Sequence, residues 1–325
     1  MSLCVIPTIF IRAPKAALKF LKYERADGRS PLAAFKSLYH NAHILHYKLD
    51  WLHFGFATIA IGRENVARSI GAKMAVSLRG YDINVYPIEH PGCYELLWKR
   101  VDRVHSISNY LFQKATGLGL SKEVCYHIIT PAVAAIGIGK TEYEFSDPVK
   151  IVTVARLTWI KGLTHAIEAM AKLGEQDVHV EYSIVGEGPD LEKLAMKISL
   201  MGLKREVLLL GKLPHEDTLD RMRKSDIYLQ PSLNEGFCNS VLEAQALGCL
   251  CIASDVGALP ENIVNSSTGW LVPPENAKEL SNKIKSILQL PLSERKRIAN
   301  NARKRVLEKF TMEQHMTLWN LFYYG

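Results

Sequence analysis

Two glutamates stand out in this sequence as residues that could do chemistry together. Glu235 and Glu243 are eight positions apart in the segment Asn234–Ala244, which follows a predicted strand and leads into a predicted helix. Glu235 falls in the loop and Glu243 about one turn inside the helix, so both can face the same crevice. Gly236 leaves the next backbone amides open at the positive end of the helix, where an anion binds favourably. Those amides belong to Phe237, Cys238 and Asn239.

A capping box is the structural alternative for one of the two carboxylates. Ser240-Val-Leu-Glu243 has the spacing in which the glutamate satisfies the amides at the start of its own helix. This alternative explains Glu243 but leaves Glu235 without a role. It also does not explain why Glu235 follows a strand end opposite two cations, Arg156 and Lys161, so the set together favours a ligand site.

The two cations, Arg156 and Lys161, flank the turn after a predicted strand that ends at Ala155. Open α/β sheets bind ligands at the carboxyl ends of their strands, so this turn is placed where a ligand would lie. Two cations beside Gly162, where the backbone can approach closely, suit a diphosphate. Taken alone, the segment Ala155–Gly162 could equally be an exposed loop.

The elements that must position these residues begin near Lys150, where short β-rich runs alternate with helical periodicity. The predicted strands are Ile151–Val154, Val180–Val185, Val207–Leu210, Ile227–Leu229 and Leu250–Ala253. The predicted helices are Gly162–Leu173, Asp190–Met201, His215–Lys224 and Asn239–Leu247. This alternation is typical of βα units around a parallel sheet, so we expect an α/β, doubly wound, Rossmann-like domain.

The first half of the chain shows a shorter version of the same pattern. Its predicted strands are Ala42–Tyr47, Lys73–Leu78, Arg103–Ile107 and Val124–Ile129. The stretch Thr130–Asp147 is rich in small residues and turn formers and is the predicted linker. Leu3–Ile11 could supply one more strand, but a basic helical stretch follows it and the first glycine is Gly28. We therefore expect a first domain that lacks one or two βα units, with nucleotide binding retained and transfer weakened.

Composition restricts the class of protein. The chain has 325 residues, more than one hydrophobic core usually supports, which favours two domains. With 48% hydrophobic and 22% charged residues, its composition is that of a folded soluble protein. No apolar run approaches the roughly 18 residues of a membrane-spanning helix, and the start lacks the features of a signal peptide. We expect a cytoplasmic location.

The charge balance indicates an anionic partner. The formal net charge is +7, and the segment Lys15–Arg29 interleaves basic and apolar residues as in a basic amphipathic helix. A solvated helix face is the alternative to contact with an anionic membrane surface at the inner face of the membrane. Gly137-Ile-Gly-Lys-Thr141 looks like the end of a phosphate-binding loop, but Ala134 stands where its first glycine belongs and no strand leads in.

These residues resemble the retaining glycosyltransferases of family 4, also called group 1, which have the two-domain GT-B fold. The resemblance spans at least Val149 to Phe310, with motifs in the family's order and approximate spacing. The motifs are Val154-Ala-Arg-Leu with Lys161-Gly162, Val185-Gly-Glu-Gly-Pro189, Leu210-Gly-Lys-Leu213, Leu229-Gln-Pro-Ser232, the pair Glu235 and Glu243, Val256-Gly-Ala-Leu-Pro-Glu261, and Gly269-Trp-Leu-Val-Pro273. Each motif is weak alone, and together they are specific.

The resemblance implies a role for each matching residue on the donor side. Arg156 and Lys161 would contact the donor diphosphate, Glu235 the donor sugar and Glu243 the ribose hydroxyls. Arg156, Lys161 and Glu235 are thereby the expected catalytic residues. The other expected donor-binding residues are Gly186, Leu213, Gly236, Phe237, Cys238 and Asn239. Cys238 replaces a common glycine of the family, which matters little if only its amide is used.

The first half resembles the same family from His46 onward, most clearly at His53-Phe-Gly55 and Leu78-Arg-Gly-Tyr-Asp82. Arg79 and Asp82 are the residues expected on the acceptor or cleft side. Many relatives have histidine where Arg79 stands. Because arginine does not exchange its proton near neutral pH, we expect an electrostatic contact there and no acid-base role.

The resemblance implies a GT-B protein with two Rossmann-like domains facing across a cleft, residues 1–147 and 148–310, and a C-terminal helix, residues 311–325, that packs back on the first domain. The implied reaction moves a sugar from a nucleotide-diphosphate sugar to a saccharide or lipid-linked acceptor, with retention, in polysaccharide or lipopolysaccharide biosynthesis. No Asp-x-Asp occurs in the chain, so we expect a metal-independent enzyme without a cofactor and without a nucleic acid partner. The alternatives are a nucleotide-sugar epimerase and a catalytically weak nucleotide-binding subunit.

Overall fold

The chain forms two compact units in a computed structural model, which describes residues 5–134, 139–140 and 142–325, with the backbone alone for residues 5–7. The first unit comprises Met1–Ile129 and Leu318–Gly325, and the second comprises Thr130–Thr317. The predicted linker groups with the second unit. Each unit contains its own parallel sheet, so the predicted α/β class is confirmed.

The first unit is built on a four-stranded parallel sheet whose strands are neighbours in chain order. They are β1 Trp51–Phe54, β2 Lys73–Leu78, β3 Arg103–Ser106 and β4 Cys125–Ile128. Its helices are α1 Val5–Arg12, α2 Pro14–Ala26, α3 Pro31–Leu45, α4 Ala57–Ala60, α5 Val66–Ile70, α6 Tyr81–Asn84, α7 Tyr86–Glu89, α8 Glu95–Trp98 and α9 Asn109–Gly117. The predictions for β2, β3 and β4 are confirmed.

Two strand predictions in the first unit are wrong. The run Ala42–Tyr47 is mostly the last turn of α3. The N-terminus of this helix is capped by Ser30, whose Oγ accepts a hydrogen bond from the Ala33 amide at 3.2 Å. Its buried residues recur every three or four positions, as in an amphipathic helix, at Ala34, Ser37, Leu38, Asn41, Ala42 and Leu45. The described part of Leu3–Ile11 is helical as well, within α1.

The second unit is built on a six-stranded parallel sheet. Its strands are β5 Val149–Val154, β6 Val180–Val185, β7 Val207–Gly211, β8 Ile227–Gln230, β9 Leu250–Ser254 and β10 Trp270–Val272. Its helices are α10 Leu163–Gly174, α11 Leu191–Leu200, α12 His215–Arg223, α13 Asn239–Ala246, α14 Leu259–Asn262, α15 Ala277–Leu288, α16 Leu292–Lys309 and the start of α17 Met312–Tyr324. All five predicted strands and all four predicted helices are confirmed, and β10 adds an edge strand.

Helices cover both faces of the six-stranded sheet, which makes it doubly wound. Ile151 packs with α10 and α15 residues in one buried cluster, while its neighbour Val152 packs with α12 and α13 residues in another. Successive side chains of a strand point to opposite faces, so these two clusters are the two faces of the sheet. Both faces pack against apolar clusters, which is why the strands could be predicted from short segments rich in apolar residues.

The strand order of this sheet, β10-β9-β8-β5-β6-β7, reverses beside β5. From β5 the chain first builds outward through β6 and β7, and then returns to build β8, β9 and β10 on the other side. The loops that leave β5 and β8 therefore diverge at neighbouring strand ends, since Ile151 pairs with Ile227. Such a switch point is where open α/β sheets bind ligands.

The segment that resembled a phosphate-binding loop has a structural role where it is described. Lys140 Nζ donates to Asp226 Oδ1 at 2.8 Å and to the Ser225 carbonyl at 3.0 Å. The same carboxylate accepts from the amide of Lys150, the second residue of β5. Residues 137, 138 and 141 of that segment lie outside the described residues.

The end of α17 packs into the first unit, where Phe322 is fully buried against Ala75 and Ile129. A chain of hydrogen bonds runs beside it. The Ile129 carbonyl can only accept, so His105 Nε2 donates to it at 3.0 Å and His105 Nδ1 accepts from Ser77 Oγ at 2.7 Å. Ser77 Oγ then accepts from His53 Nε2 at 2.9 Å, and His53 Nδ1 accepts from the Tyr323 hydroxyl at 2.6 Å. With both imidazoles neutral, each hydrogen bond of this chain has one donor and one acceptor.

Candidate functional site

An ion pair lies at the switch point of the six-stranded sheet. Lys161, from the loop after β5, places Nζ 2.5 Å from Oε1 of Glu235, from the loop after β8. The same oxygen accepts from Ser232 Oγ at 2.8 Å and from Gln230 Nε2 at 3.1 Å. Ser232 and Gln230 are buried, and Glu235 is 8% exposed. The carboxylate is thus held in one orientation by three donors on a single oxygen.

The second oxygen of Glu235 is differently placed. Within the described residues Oε2 accepts no hydrogen bond, yet it is not among the fully buried polar atoms that lack a partner. It therefore keeps contact with solvent at the strand end. A carboxylate with one oxygen fixed and one open is suited to accept from a hydroxyl group of a ligand.

Two glycines allow the loops of this site to pass close to one another. A Cβ on Gly162, which has φ 62°, would lie 2.0 Å from the Pro231 carbonyl oxygen. A Cβ on Gly257, which has φ 56°, would lie 2.3 Å from the Glu235 carbonyl oxygen. In each case the clash is with backbone, so a side chain could not be accommodated by a rotamer change. Glu235 is therefore positioned by the loops after β5 and β9 as well as by its own.

Arg156 is the free cation of the site. Its side chain is exposed, and it makes no hydrogen bond or ion pair within the part of the chain that the structure describes. Its backbone carbonyl accepts from the Thr158 amide at 2.9 Å, which closes the turn that leads to Lys161. The loop after β5 thus presents one paired cation and one unpaired cation at the carboxyl end of the sheet.

Glu243 lies inside α13 and does not act as a helix cap. The cap residue of α13 is Cys238, which makes no side-chain capping bond. Ser240 is already helical, and its Oγ lies 2.7 Å from the Tyr228 hydroxyl and 3.3 Å from the Val154 carbonyl. The capping-box interpretation is therefore wrong. Burial raises the pKa of Glu243, and the charge of the nearby His215 opposes that rise.

The surroundings of Glu243 connect it to the strands beyond β5. Its Oε1 lies 3.8 Å from Nε2 of His215, the first residue of α12. Leu213, two positions before His215, packs against the apolar cluster on the α12 and α13 face of the sheet. Gly186 follows β6, and its amide donates to the Gly211 carbonyl at 2.8 Å. The structure thus places Gly186 and Leu213 after β6 and β7 and brings Glu243 beside the start of α12.

The amides at the start of α13 are only partly available to a ligand. The Cys238 amide donates to Asn262 Oδ1 at 3.1 Å, and Asn262 Nδ2 donates back to the Cys238 carbonyl at 3.1 Å. The expectation of an open Cys238 amide is therefore wrong. Gly236 and Phe237 precede it in the loop, Phe237 packs on Phe310 with ring centroids 5.9 Å apart, and Asn239 is the first helical residue. Burial also raises the pKa of the Cys238 thiol to about 12, which leaves it unreactive at neutral pH.

Sequence reasoning missed the residues that orient this site. Asn262 is fully buried and fixes the loop before α13, although it lies 24 positions away in the chain. Gln230 and Ser232 orient Glu235. All three lie in or directly after two motifs of the sequence, Leu229–Ser232 and Val256–Glu261. Their place in these motifs is the sequence feature that could have identified them. Buried polar side chains next to site residues are expected to form hydrogen bonds, and here those bonds hold the site residues in place.

Arg79 and Asp82 lie in the first unit and differ in how their side chains are used. Asp82 is buried, and its carboxylate accepts from the amides of Ala57, Arg79 and Gly80 at 3.2, 3.0 and 2.8 Å. This arrangement fixes the loop after β2, and burial raises the pKa of Asp82 against the effect of these bonds. Arg79 is exposed and donates from Nε to the Gly55 carbonyl at 3.0 Å. A contact of Arg79 with an acceptor stays a prediction.

Two further properties of the described residues bear on the class of site. They contain no group of three or more His, Cys, Asp or Glu side chains that could hold a metal ion. None of their helices is long and apolar enough to cross a membrane. Metal independence stays a prediction.

Sequence similarity to known proteins extends over most of this chain. WcaL of Escherichia coli K12, which carries the name of a colanic acid biosynthesis glycosyltransferase, is 28% identical over 275 residues, covering 80% of this chain and 66% of WcaL. The amylovoran biosynthesis glycosyltransferase AmsK of Erwinia amylovora is 31% identical over 245 residues, covering 71% of this chain and 58% of AmsK. The matched part of this chain therefore spans less than two thirds of the length of either relative.

A solved structure shows the same fold. Anabaena HepE in complex with UDP-glucose is similar to this chain with a TM-score of 0.72 at 18% identity, over 90% of this chain and 82% of that chain. At this identity the likeness concerns the fold alone, which is the GT-B type. The sequence model described as glycosyl transferases group 1 matches residues 140–305, a little over half of the chain, and includes Lys161, Glu235 and Glu243. The chain belongs to the family of group 1 glycosyl transferases.

Proposed function

We propose that the protein transfers a sugar from a nucleotide-diphosphate sugar to a hydroxyl of an acceptor, with retention of the anomeric configuration. The observation that carries this proposal is the Lys161–Glu235 ion pair at the switch point, with the unpaired Arg156 beside it in the chain. A diphosphate needs cations, a sugar needs a fixed acceptor of hydrogen bonds, and both are offered at one strand end.

In this proposal the two cations stabilise the leaving group. As the glycosidic bond breaks, negative charge grows on the diphosphate, and Lys161 and Arg156 are placed in the loop that would face it. Such preorganised electrostatic stabilisation is usually the largest single contribution to catalysis. We assign no side chain as general base, because the departing phosphate can itself take the proton of the acceptor hydroxyl. Neither a metal ion nor a cofactor takes part.

In this proposal Glu235 and Glu243 bind different parts of the donor. The open oxygen of Glu235 accepts from hydroxyls of the transferred sugar, while Glu243, beside the start of α12, accepts from the ribose hydroxyls. Gly186, Leu213 and the loop Gly236–Asn239 line the rest of the donor site. The complex of HepE with UDP-glucose makes a uridine nucleotide the first donor to test.

The acceptor in this proposal is a saccharide or a lipid-linked saccharide, and the reaction takes place in the cytoplasm. The names of WcaL and AmsK, which refer to colanic acid and amylovoran, support polysaccharide biosynthesis as the process. Arg79 is the residue of the first unit that we assign to the acceptor side, since it is exposed and permanently charged.

The test combines donor binding with product analysis on the full chain. A panel of nucleotide sugars is first screened by thermal shift, because a ligand at about 100 times its Kd stabilises by about 2.7 kcal/mol. The donor that binds is then incubated with and without saccharide acceptors, and the anomeric configuration of the product is read by NMR. Acceptor-dependent release of the nucleotide with an α-linked product from an α-linked donor supports the proposal.

Two results would contradict it and separate the alternatives. Release of free sugar and nucleotide at the same rate without any acceptor identifies an epimerase or hydrolase. Tight donor binding without turnover in any acceptor identifies a nucleotide-binding subunit. An inverted product would leave transfer standing and overturn retention.

A further inference from the structure

A pocket of about 450 Å³ lies in the first unit, between the start of α2 and the end of α3. We call it the basic pocket. Its lining includes the cations Arg12, Lys15, Lys19 and Lys48 and the apolar side chains of Leu45 and Ile70. Among the described residues, none of those that line it is acidic. It belongs to no part of the donor site, which is in the second unit.

The four cations of the basic pocket lie more than 4 Å from any acidic side chain of the described residues. Within the described residues none of them forms an ion pair or a side-chain hydrogen bond. The residues that are not described contribute no Asp or Glu to the sequence, so they supply no partner either. Like charges held close together without a counter-ion repel one another. An anion in the pocket would relieve that repulsion.

Other basic residues of the same segment are already used within the protein. Arg29 pairs with Glu24 at 3.1 Å, and Arg25 donates to the Arg29 carbonyl at 2.7 Å. The predicted membrane segment Lys15–Arg29 therefore divides into two parts. Its first turns leave their lysines free, and its last turn is tied into the fold.

The backbone adds to the positive potential of the basic pocket. The N-terminus of α2 lines it, through Ala13, Pro14, Lys15 and Ala16. Ala13 is the cap residue of this 13-residue helix and makes no side-chain capping bond. The N-terminal turn of α2 thus borders the pocket, and the positive end of a helix dipole favours an anion nearby.

Apolar side chains border the cations on the outer surface. Ile11 precedes Arg12 and is 81% exposed, and Leu18, one turn after Lys15 and next to Lys19, is 60% exposed. Residues three apart on a helix are neighbours, so Leu18 lies beside Lys15. A free phosphate or a nucleotide would leave these apolar groups in water. A lipid with a phosphate headgroup would use both the cations and the apolar side chains.

We propose that the basic pocket binds the phosphate headgroup of an anionic phospholipid and docks α1 and α2 on an anionic bilayer. The headgroup phosphate contacts Lys15 and Lys19 in the first half of α2 and Lys48 after α3, and Ile11 and Leu18 enter the interface with the acyl chains. This docking does not depend on the proposed transfer reaction, because the donor residues lie in the other unit.

The proposal is tested with the full chain and lipid vesicles in a sedimentation assay. Vesicles of phosphatidylcholine mixed with phosphatidylglycerol should bind the protein, and vesicles of phosphatidylcholine alone should not. Binding should be lost at about 1 M salt, where the Debye length falls to about 3 Å. The double variant Lys15→Ala/Lys19→Ala should bind about 30-fold more weakly, since each lysine near an anionic surface contributes about 5-fold.

A matched control separates the pocket from net charge. The double variant Lys22→Ala/Lys36→Ala removes the same charge from exposed positions on α2 and α3 that do not line the pocket. It should weaken binding by less than about 3-fold, a change much smaller than that of the pocket variant. Equal losses in the two variants would overturn the pocket and leave only general attraction. Circular dichroism on each variant confirms that it is folded.

A second arm distinguishes a lipid from free phosphate. Replacing Leu18 with Ser leaves the charges intact and should weaken vesicle binding while any shift in melting temperature caused by inorganic phosphate is unchanged. If phosphate stabilises the wild type through Lys15 and Lys19 but both double variants bind vesicles as the wild type does, the site takes a free phosphate compound and the proposal is wrong. Donor binding, followed by thermal shift with UDP-glucose, should be the same in all of these variants.

Discussion

Replacing Lys161 with Ala removes the central cation of the proposed donor site. Lys161 Nζ lies 2.5 Å from Glu235 Oε1, and the two side chains are 21% and 9% exposed. Loss of one preorganised charge contact to the leaving group costs about 3 kcal/mol in the transition state, which is about a 150-fold decrease in kcat. The free energy of unfolding should fall as well, by about 1–3 kcal/mol, because Glu235 keeps only the neutral donors Ser232 and Gln230.

The assay measures both quantities on the same preparations. Turnover is followed as acceptor-dependent release of the nucleotide from the nucleotide sugar that the donor screen identifies, and stability is followed by urea unfolding. Lys304→Ala is the control, since Lys304 is 74% exposed and its ion pair, with Glu308 in the i,i+4 position, is at the surface. Lys161→Arg should recover part of the activity because it keeps the charge. Turnover of folded Lys161→Ala within about 3-fold of the wild type would refute the assigned role of this charge.

Three further predictions concern the two glutamates and the first unit. Glu235→Gln should slow transfer by about 100-fold with little change in nucleotide affinity, whereas Glu243→Gln should weaken nucleotide affinity by about 10-fold. Affinity is measured by calorimetry and transfer by the turnover assay. If both variants lose affinity and turnover to the same extent, the two glutamates do not have separate roles. Burial raises the pKa of Glu243, so its ionised form destabilises the fold above its ordinary pKa of 4.5. Glu243→Gln should then unfold at higher urea than the wild type at pH 7, with the difference lost as the pH falls to about 4. Burial, and secondly the charge of Arg79, lowers the pKa of His53 from 6.5 to about 4. As the pH falls, His53 therefore takes up a proton in the unfolded chain at a higher pH than in the folded chain. The free energy of unfolding of the first unit should fall by up to about 3 kcal/mol between pH 6.5 and 4, and this decrease should be absent in His53→Gln.

The second unit could be read from the sequence because its parallel strands are buried on both faces. Each strand is rich in apolar residues, as in Ile151–Val154, and the residues that follow it are placed at the carboxyl edge of the sheet by topology alone. Arg156, Lys161 and Glu235 could be assigned to one edge for that reason. The pairing of Lys161 with Glu235 could not be predicted without the strand order. The two residues are 74 positions apart, and they meet because β5 and β8 are neighbours in the sheet.

Three of the four strands of the first unit could be predicted in the same way, but its first strand was placed in the wrong segment. Ala42–Tyr47 is as apolar as a strand, but it ends an amphipathic helix that begins with Ser30 and Pro31. The true strand Trp51–Phe54 has four residues and includes His53, so its pattern is too short to detect. The role of Asn262 was missed for another reason, since a hydrogen bond across 24 positions leaves no local spacing to recognise.

The Lys161–Glu235 pair also suggests why the site contains opposite charges at such short range. In the proposed reaction negative charge grows on the diphosphate while positive charge grows on the anomeric carbon of the sugar. Before the bond breaks, Lys161 and Glu235 mainly satisfy each other. As the bond breaks, each meets a growing charge of opposite sign, so the attraction of both residues for the substrate increases toward the transition state. An interaction that is stronger in the transition state than in the ground state raises kcat, whereas uniform binding would not. Removing either partner should therefore reduce kcat more than it changes the affinity for UDP.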